Sequence, residues 1–123
     1  MTVYLVYNSS TNKGHMTTDD ADNRDDNCTT GYAWLVVPES LEEYPAGELE
    51  VSNGVVVKNT TAVDERLAIE VRQERNRLLT ATDFHALSDS PAMSSEMQTY
   101  RQSLRDLPSQ SGFPSSVTWP TKP

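Results

Sequence analysis

The side chains best equipped for chemistry in this 123-residue chain gather in its second half. Arg101 and Arg105 stand one helical turn apart, with Asp106 beside them and Arg72, Arg75 and Arg77 upstream. Guanidinium groups at this spacing can grip a partner's carboxylate through paired N–H donors. The same arginines can instead pair internally with Asp83, Asp89 or Asp106 and hold the local fold together. Tyr100 and Trp119 carry the same choice between a surface for a partner and packing inside a hydrophobic seam.

Other reactive types lack the company that chemistry needs. His15 and His85 have no metal-ligand or nucleophile motif near them, which leaves surface or capping roles. Cys28 is the only cysteine, so no intrachain disulfide, Cys/His zinc cluster or CxxC pair can form, and its acidic neighbourhood disfavours a reactive thiolate. The run Asp19-Asp20-Ala21-Asp22-Asn23-Arg24-Asp25-Asp26 has no apolar period and reads as a solvated loop. An EF-hand would need Gly at its sixth position and Glu at its twelfth, and counting from Asp20 puts Asp25 and Gly31 there. Asp83 with Asp89 has the residue types of an acid/base pair, yet Asp83 fits a helix cap better. Glycine-rich phosphate loops and a Ser-His-Asp order are absent. No catalytic residue, metal ligand or cofactor site is assigned, and the chain is expected not to be an enzyme.

Charge narrows the partners. The formal net charge is -8, and residues 1 to 60 hold only Lys13, Arg24 and Lys58 against ten carboxylates. Nucleic acid and anionic membranes are bound through Lys and Arg, so neither is expected as a partner. No stretch nears the roughly 20 apolar residues that span a bilayer, and the cysteine usage suits a reducing cytosol.

The elements that must position these residues fall into two kinds. Thr2 to Tyr7 is β-branched and aromatic and reads as a strand, followed by the turn formers Asn8 to Gly14. Tyr32 to Val37 reads as a second strand stopped by Pro38. Leu49 to Val57 is a hairpin around Asn53-Gly54, the pair that supplies the positive φ angles of a type I′ turn. Thr61, as an N-cap with Asp64 at N3, opens a helix expected to reach about Thr80, with Val63, Leu67, Val71 and Leu78 near one face. Arg66 can pair with Glu70, and Glu74 with Arg77, on the solvent side. Thr82-Asp83 caps a further turn. A second helix starts near Ser94 or Ser95, carries Met97, Tyr100, Leu104 and Leu107 as its stripe, and ends at Pro108. The proline-rich remainder lacks a helical period and reads as an extended arm, on which Phe113, Val117 and Trp119 seek a surface.

The fold class expected is α+β: an acidic β-rich domain over 1–60, an αα-hairpin over 61–108 and an extended Pro/Trp-containing arm over 109–123. Leu78, Leu79, Phe84, Tyr100, Leu104 and Leu107 form the seam of the hairpin, with Phe113 and Trp119 pinning the arm across it. These residues, together with Arg101 and Arg105, are the candidates for hairpin packing or for binding a partner.

In order and spacing, Arg75-Asn76, Leu78-Leu79, Thr82-Asp83-Phe84, Tyr100-Arg101-Gln102, Leu104-Arg105-Asp106-Leu107-Pro108, Phe113-Pro114 and Trp119-Pro120 form a pattern. It resembles the C-terminal module of the bacteriophage tail assembly chaperone and tail-fibre assembly-like proteins, over about residues 66–123. Departures are Phe84 and Met97, where that family commonly has tryptophan. The resemblance implies a non-enzymatic protein that binds a tail-fibre or other tail structural protein in the host cytoplasm and assists its assembly or attachment. A permanent virion subunit of the tail, fibre or baseplate is the alternative, and a small metal-dependent hydrolase using the acidic run is a remote one. A homo-oligomer is compatible with either binding role.

Overall fold

The β-branched, aromatic run at the N-terminus forms β1 (Tyr4–Asn8), the middle strand of an antiparallel sheet. In the computed structural model, which describes all 123 residues, β2 (Gly14–Thr18) and β3 (Tyr32–Val36) flank it in the order β2-β1-β3. β3 is the second strand expected. β2 is a strand where only a loop was legible, because Gly14-His15-Met16 shows no alternation and pairing with β1 organises it. The chain divides into two compact units, Met1–Val63 and Asp64–Pro123.

Period-two alternation places the buried side chains of Leu5 and Val6 on opposite faces of the three-stranded sheet. Leu5 points to one and packs with Val37, Leu49, Val51 and Val56. The last three come from the hairpin β4 (Leu49–Ser52) and β5 (Val55–Lys58). Its turn is the one expected, with φ of 52° at Asn53 and 75° at Gly54. The hairpin is tied to the sheet at the end of the β1–β2 loop: Val51 N–H donates to Asn12 C=O at 2.8 Å, and Lys13 Nζ meets Glu50 Oε2 at 2.7 Å. Gly14 is required here by close approach, since a Cβ would run into the Ala46 carbonyl.

The opposite face carries Tyr4, Val6 and Trp34, and Val6 is fully buried. Its cover corrects the sequence reading. The acidic run is not a loop: it forms α1 (Ala21–Asn27), started by Asp20, whose carboxylate accepts from the N–H groups of Asp22 at 2.8 Å and Asn23 at 3.1 Å. A seven-residue helix without an apolar stripe leaves no periodic signal. It is held by Asn23 Nδ2, which donates to Thr18 Oγ1 of β2 at 3.2 Å, and by Arg24, whose guanidinium carbon lies 3.9 Å from the Trp34 ring centre and 4.5 Å from that of Tyr4. Asp25 accepts from Arg24 Nε at 2.7 Å, and this hydrogen bond holds the Asp25 carboxyl below its usual range.

The helices follow. α2 (Thr60–Thr82) begins two residues earlier than expected and ends two later. Asn59, not Thr61, caps it: its side-chain oxygen accepts from Ala62 N–H at 3.2 Å and its carbonyl from Val63 N–H at 3.0 Å. The surface pairs Arg66–Glu70 and Glu74–Arg77 form as spaced. A 3₁₀ turn over Asp83–Ala86 and an irregular link lead to α3 (Ser95–Arg105), whose N-cap is Ser94, accepting from Met97 N–H at 3.1 Å. Pro108 does not stop α3. The helix ends at Arg105, and Pro108 sits inside a 3₁₀ turn, Leu107–Ser109, where its missing N–H costs nothing. The architecture is α+β, with antiparallel strands first and helices after. No helix is long and apolar enough to cross a membrane.

Arg24→Ala should lower the stability of the first unit by uncovering Tyr4, Val6 and Trp34, with Arg24→Lys recovering part of it. Urea unfolding followed by the amide signals of β1 and β3 measures the difference.

Candidate functional site

The chemistry-bearing residues of the second unit converge where α2 ends. The last four carbonyls of a helix have no partner within it, and the helix dipole makes that end negative. Here the cap is a side chain from another helix. Arg101 of α3, only 7% exposed, donates from Nη1 to the Leu79 carbonyl at 2.9 Å and to Thr82 Oγ1 at 2.6 Å, and from Nη2 to Asp83 Oδ1 at 2.7 Å. Thr82, almost completely buried, turns its hydroxyl back on its own helix and donates to Leu79 C=O at 3.1 Å. It makes no side-chain bond to the turn that follows, so the cap assigned to it from sequence is corrected: the hydroxyl closes α2 and receives Arg101.

Of the two arginines read as a pair, only Arg101 enters this lock. Arg105 is exposed. The internal alternative is therefore realised for Arg101, with Asp83 as the carboxylate, and Asp106 instead accepts from Gln102 Nε2 at 3.0 Å. An arginine reaching both a helix-end carbonyl and the next residue's carboxylate satisfies the buried charge on two sides.

Beside the lock lies the hydrophobic cluster of the unit. Met97, Tyr100, Leu104 and Leu107 are buried, with Leu78, Leu79, Met93 and Val117 partly buried around them. Five of the six residues assigned to the seam thus meet. Phe84 does not: it is 55% exposed, because the chain leaves α2 in a 3₁₀ turn pinned by Asp83 and carries the ring outward. It stacks on His85 with ring centres 4.0 Å apart. Leu87, after the same turn, is 59% exposed. Phe113 is half-buried with the Arg72 guanidinium 5.2 Å from its ring centre, and Trp119 is 37% exposed.

Residues after α3 double back. Gln110 Nε2 donates to Thr118 C=O at 2.9 Å while its Oε1 accepts from Thr118 N–H at 2.8 Å, closing the intervening turns. This amide was missed from sequence, since a glutamine among serines carries no signal. An open groove of about 430 Å³ separates the final residues from α3, lined by Ser95, Glu96, Thr99, Tyr100, Pro120 and Thr121. Elsewhere, His15 stacks at 4.9 Å on Tyr32, and Cys28 Sγ lies 3.5 Å from the Tyr32 carbonyl. His15 on β2 and Cys28 at the end of α1 thus both contact Tyr32 of β3.

The fold and this site define an α+β chain with a helical C-terminal unit locked by a buried arginine. Residues 68–123 match the family model described as phage tail assembly chaperone protein, the family whose C-terminal module the sequence words resemble, starting two residues later than read. No curated protein and no solved structure matches the chain significantly.

Two outcomes follow. Removing the guanidinium leaves the helix-end carbonyl and the Thr82 hydroxyl buried without their donor, so Arg101→Ala should destabilise the second unit by about 3 kcal/mol and Asp83→Asn by about 1 kcal/mol, in urea unfolding. Glu74, whose carboxyl is held below its usual range by the hydrogen bond from Arg77, should titrate in NMR below an ordinary glutamate and return to it in Arg77→Gln. Because its folded value is depressed, the pair's contribution is present at neutral pH and is lost only as pH falls through that lowered value.

Proposed function

We propose that this chain is a non-enzymatic bacteriophage protein that binds a tail or tail-fibre protein and assists its assembly or attachment in the host cytoplasm. The observation that carries the reading is the family match over residues 68–123, which coincides with the arginine-locked unit. The geometry supports a binding role over a chemical one: Arg101, Thr82 and Tyr100 are consumed by structure, and among the side chains that the unit leaves exposed are the large apolar groups of Phe84 and Leu87.

The contact we assign is the turn that follows α2. Phe84 and Leu87 stand out from it, and Ser90 Oγ donates to Phe84 C=O at 2.7 Å, so the turn is closed as well as anchored by Asp83. A rigid turn presenting a phenyl ring and an isobutyl group binds at low entropic cost, because little is left to order on association. Such a knob would cover apolar surface of a tail protein before its own neighbours arrive. Arg105 and Trp119 supply polar and aromatic surface on the same unit.

In co-expression with a tail-fibre protein of the same phage, the double variant Phe84→Ser and Leu87→Ser should reduce co-purification about tenfold or more and lower the partner's solubility, while the helical signal stays intact. Unchanged recovery and solubility would reject the assignment. Peptide mass spectrometry of purified particles then separates a transient assembly role from a permanent subunit, which would be present at stoichiometric levels.

A further inference from the structure

The three-stranded sheet of the first unit leaves the edge of β3 open. β3 pairs with β1 and with no other strand. Val37 N–H donates to Val3 C=O at 2.7 Å, and Ser9 N–H to Gly31 C=O at 2.9 Å. With Leu5 opposite Leu35 and Tyr7 opposite Ala33, these bonds set the odd-numbered residues toward β1 and aim the backbone groups of Tyr32, Trp34 and Val36 outward. Tyr32 N–H is taken by the Thr29 carbonyl. The N–H groups of Trp34 and Val36 bond to no acceptor of the chain. Their side chains are 40% and 52% exposed.

The two edges of this sheet are treated differently. At the β2 edge the register shifts between Val6 and Tyr7, and the turn Ala46–Glu48 and β4 pack against it, as Gly14 against Ala46 shows. β3 has none of the usual guards: from Tyr32 to Val37 there is no charged residue, no proline and no bulge in its pairing with β1. An apolar strand with free donors on its outer side is a template for one more strand.

Charge selects the occupant. The three cations of the unit are engaged: Arg24 with Asp25 and two rings, Lys13 with Glu50, and Lys58 with its ammonium 5.4 Å from the Tyr44 ring centre. Exposed carboxylates remain before β3, at Asp22 and Asp26, and after it, at Glu39 and Glu43. A second copy would bring carboxylates against carboxylates, whereas a segment with Lys or Arg at its flanks is complementary. We propose that the free edge of β3 accepts an extended segment of a partner protein, apolar in its middle and basic at its flanks, as an added strand. This site lies outside the matched module and stands independently of the tail-assembly reading.

The test uses the full chain and a short synthetic peptide of alternating valine and threonine with lysines at both ends, beside a peptide of the same core with glutamates. The lysine peptide should slow amide exchange at Trp34 and Val36 about tenfold or more. Its affinity should fall severalfold between about 50 mM and about 500 mM salt. Val36→Lys, which places a guarding charge on the edge, should abolish the protection while the amide spectrum of β1 and β2 is preserved. No added protection in the unmodified chain, or equal protection by the glutamate peptide, overturns the proposal. Protection that rises with protein concentration in the absence of peptide would show the edge pairing with a second copy, and the basic-partner assignment would fall.

Discussion

A buried guanidinium at the end of α2 is the constraint from which the second unit takes its form. Arg101 must leave water to reach the Leu79 carbonyl, and that transfer is tolerated only because Thr82 and Asp83 complete its hydrogen bonds. The bonds fix the depth and rotation of α3 against the last turn of α2. With that orientation set, Met97, Tyr100, Leu104 and Leu107 face Leu78 and Leu79, and the apolar cluster closes. The same bonds tie down Asp83, so the chain cannot continue α2 and must turn, and the turn throws Phe84 and Leu87 outward. Packing and presentation of the exposed surface thus have a common origin.

The first unit solves a similar problem with different acceptors. Its short helix α1 has no apolar stripe to bury, so hydrophobic burial cannot hold it to the sheet. Arg24 does so by lying across the faces of Trp34 and Tyr4, where an arginine contributes both its flat hydrocarbon-like surface and its charge. In each unit an aspartate pairs with the arginine, Asp25 in one and Asp83 in the other. The difference lies in the remaining partners: Arg101 meets backbone and hydroxyl oxygens and Arg24 two aromatic rings, while in both pairs the carboxylate stays largely in solvent.

Where local chemistry decides an element, the sequence showed it. Asn53-Gly54 can do little but turn a hairpin, β-branched runs at Tyr4 and Tyr32 make strands, and the stripe through Met97, Tyr100, Leu104 and Leu107 makes one buried helix face. Misreadings fall where a distant partner decides. β2 is a strand because β1 lies beside it, α1 is a helix because Asp20 caps it and two aromatic rings receive Arg24, and Thr82 becomes a buried acceptor because α3 delivers a guanidinium to it. Phe84 looked like seam by type alone; exposure depends on the direction of the backbone after Asp83, which no residue type encodes.

By itself, the order of residues determined the class of the protein: strands followed by helices, a surplus of carboxylates in the first half, and a C-terminal module recognisable by its words. These are properties of composition and short-range periodicity, carried by every stretch of chain whatever surrounds it. Only the tertiary structure decided which of Arg101 and Arg105 is spent internally, which large apolar side chains remain in water, and which strand edge is left open. Those outcomes depend on contacts between residues some 18 to 22 positions apart, as in Arg101 with Asp83 and Leu79, and are settled by how a charge can be buried with all its hydrogen bonds made.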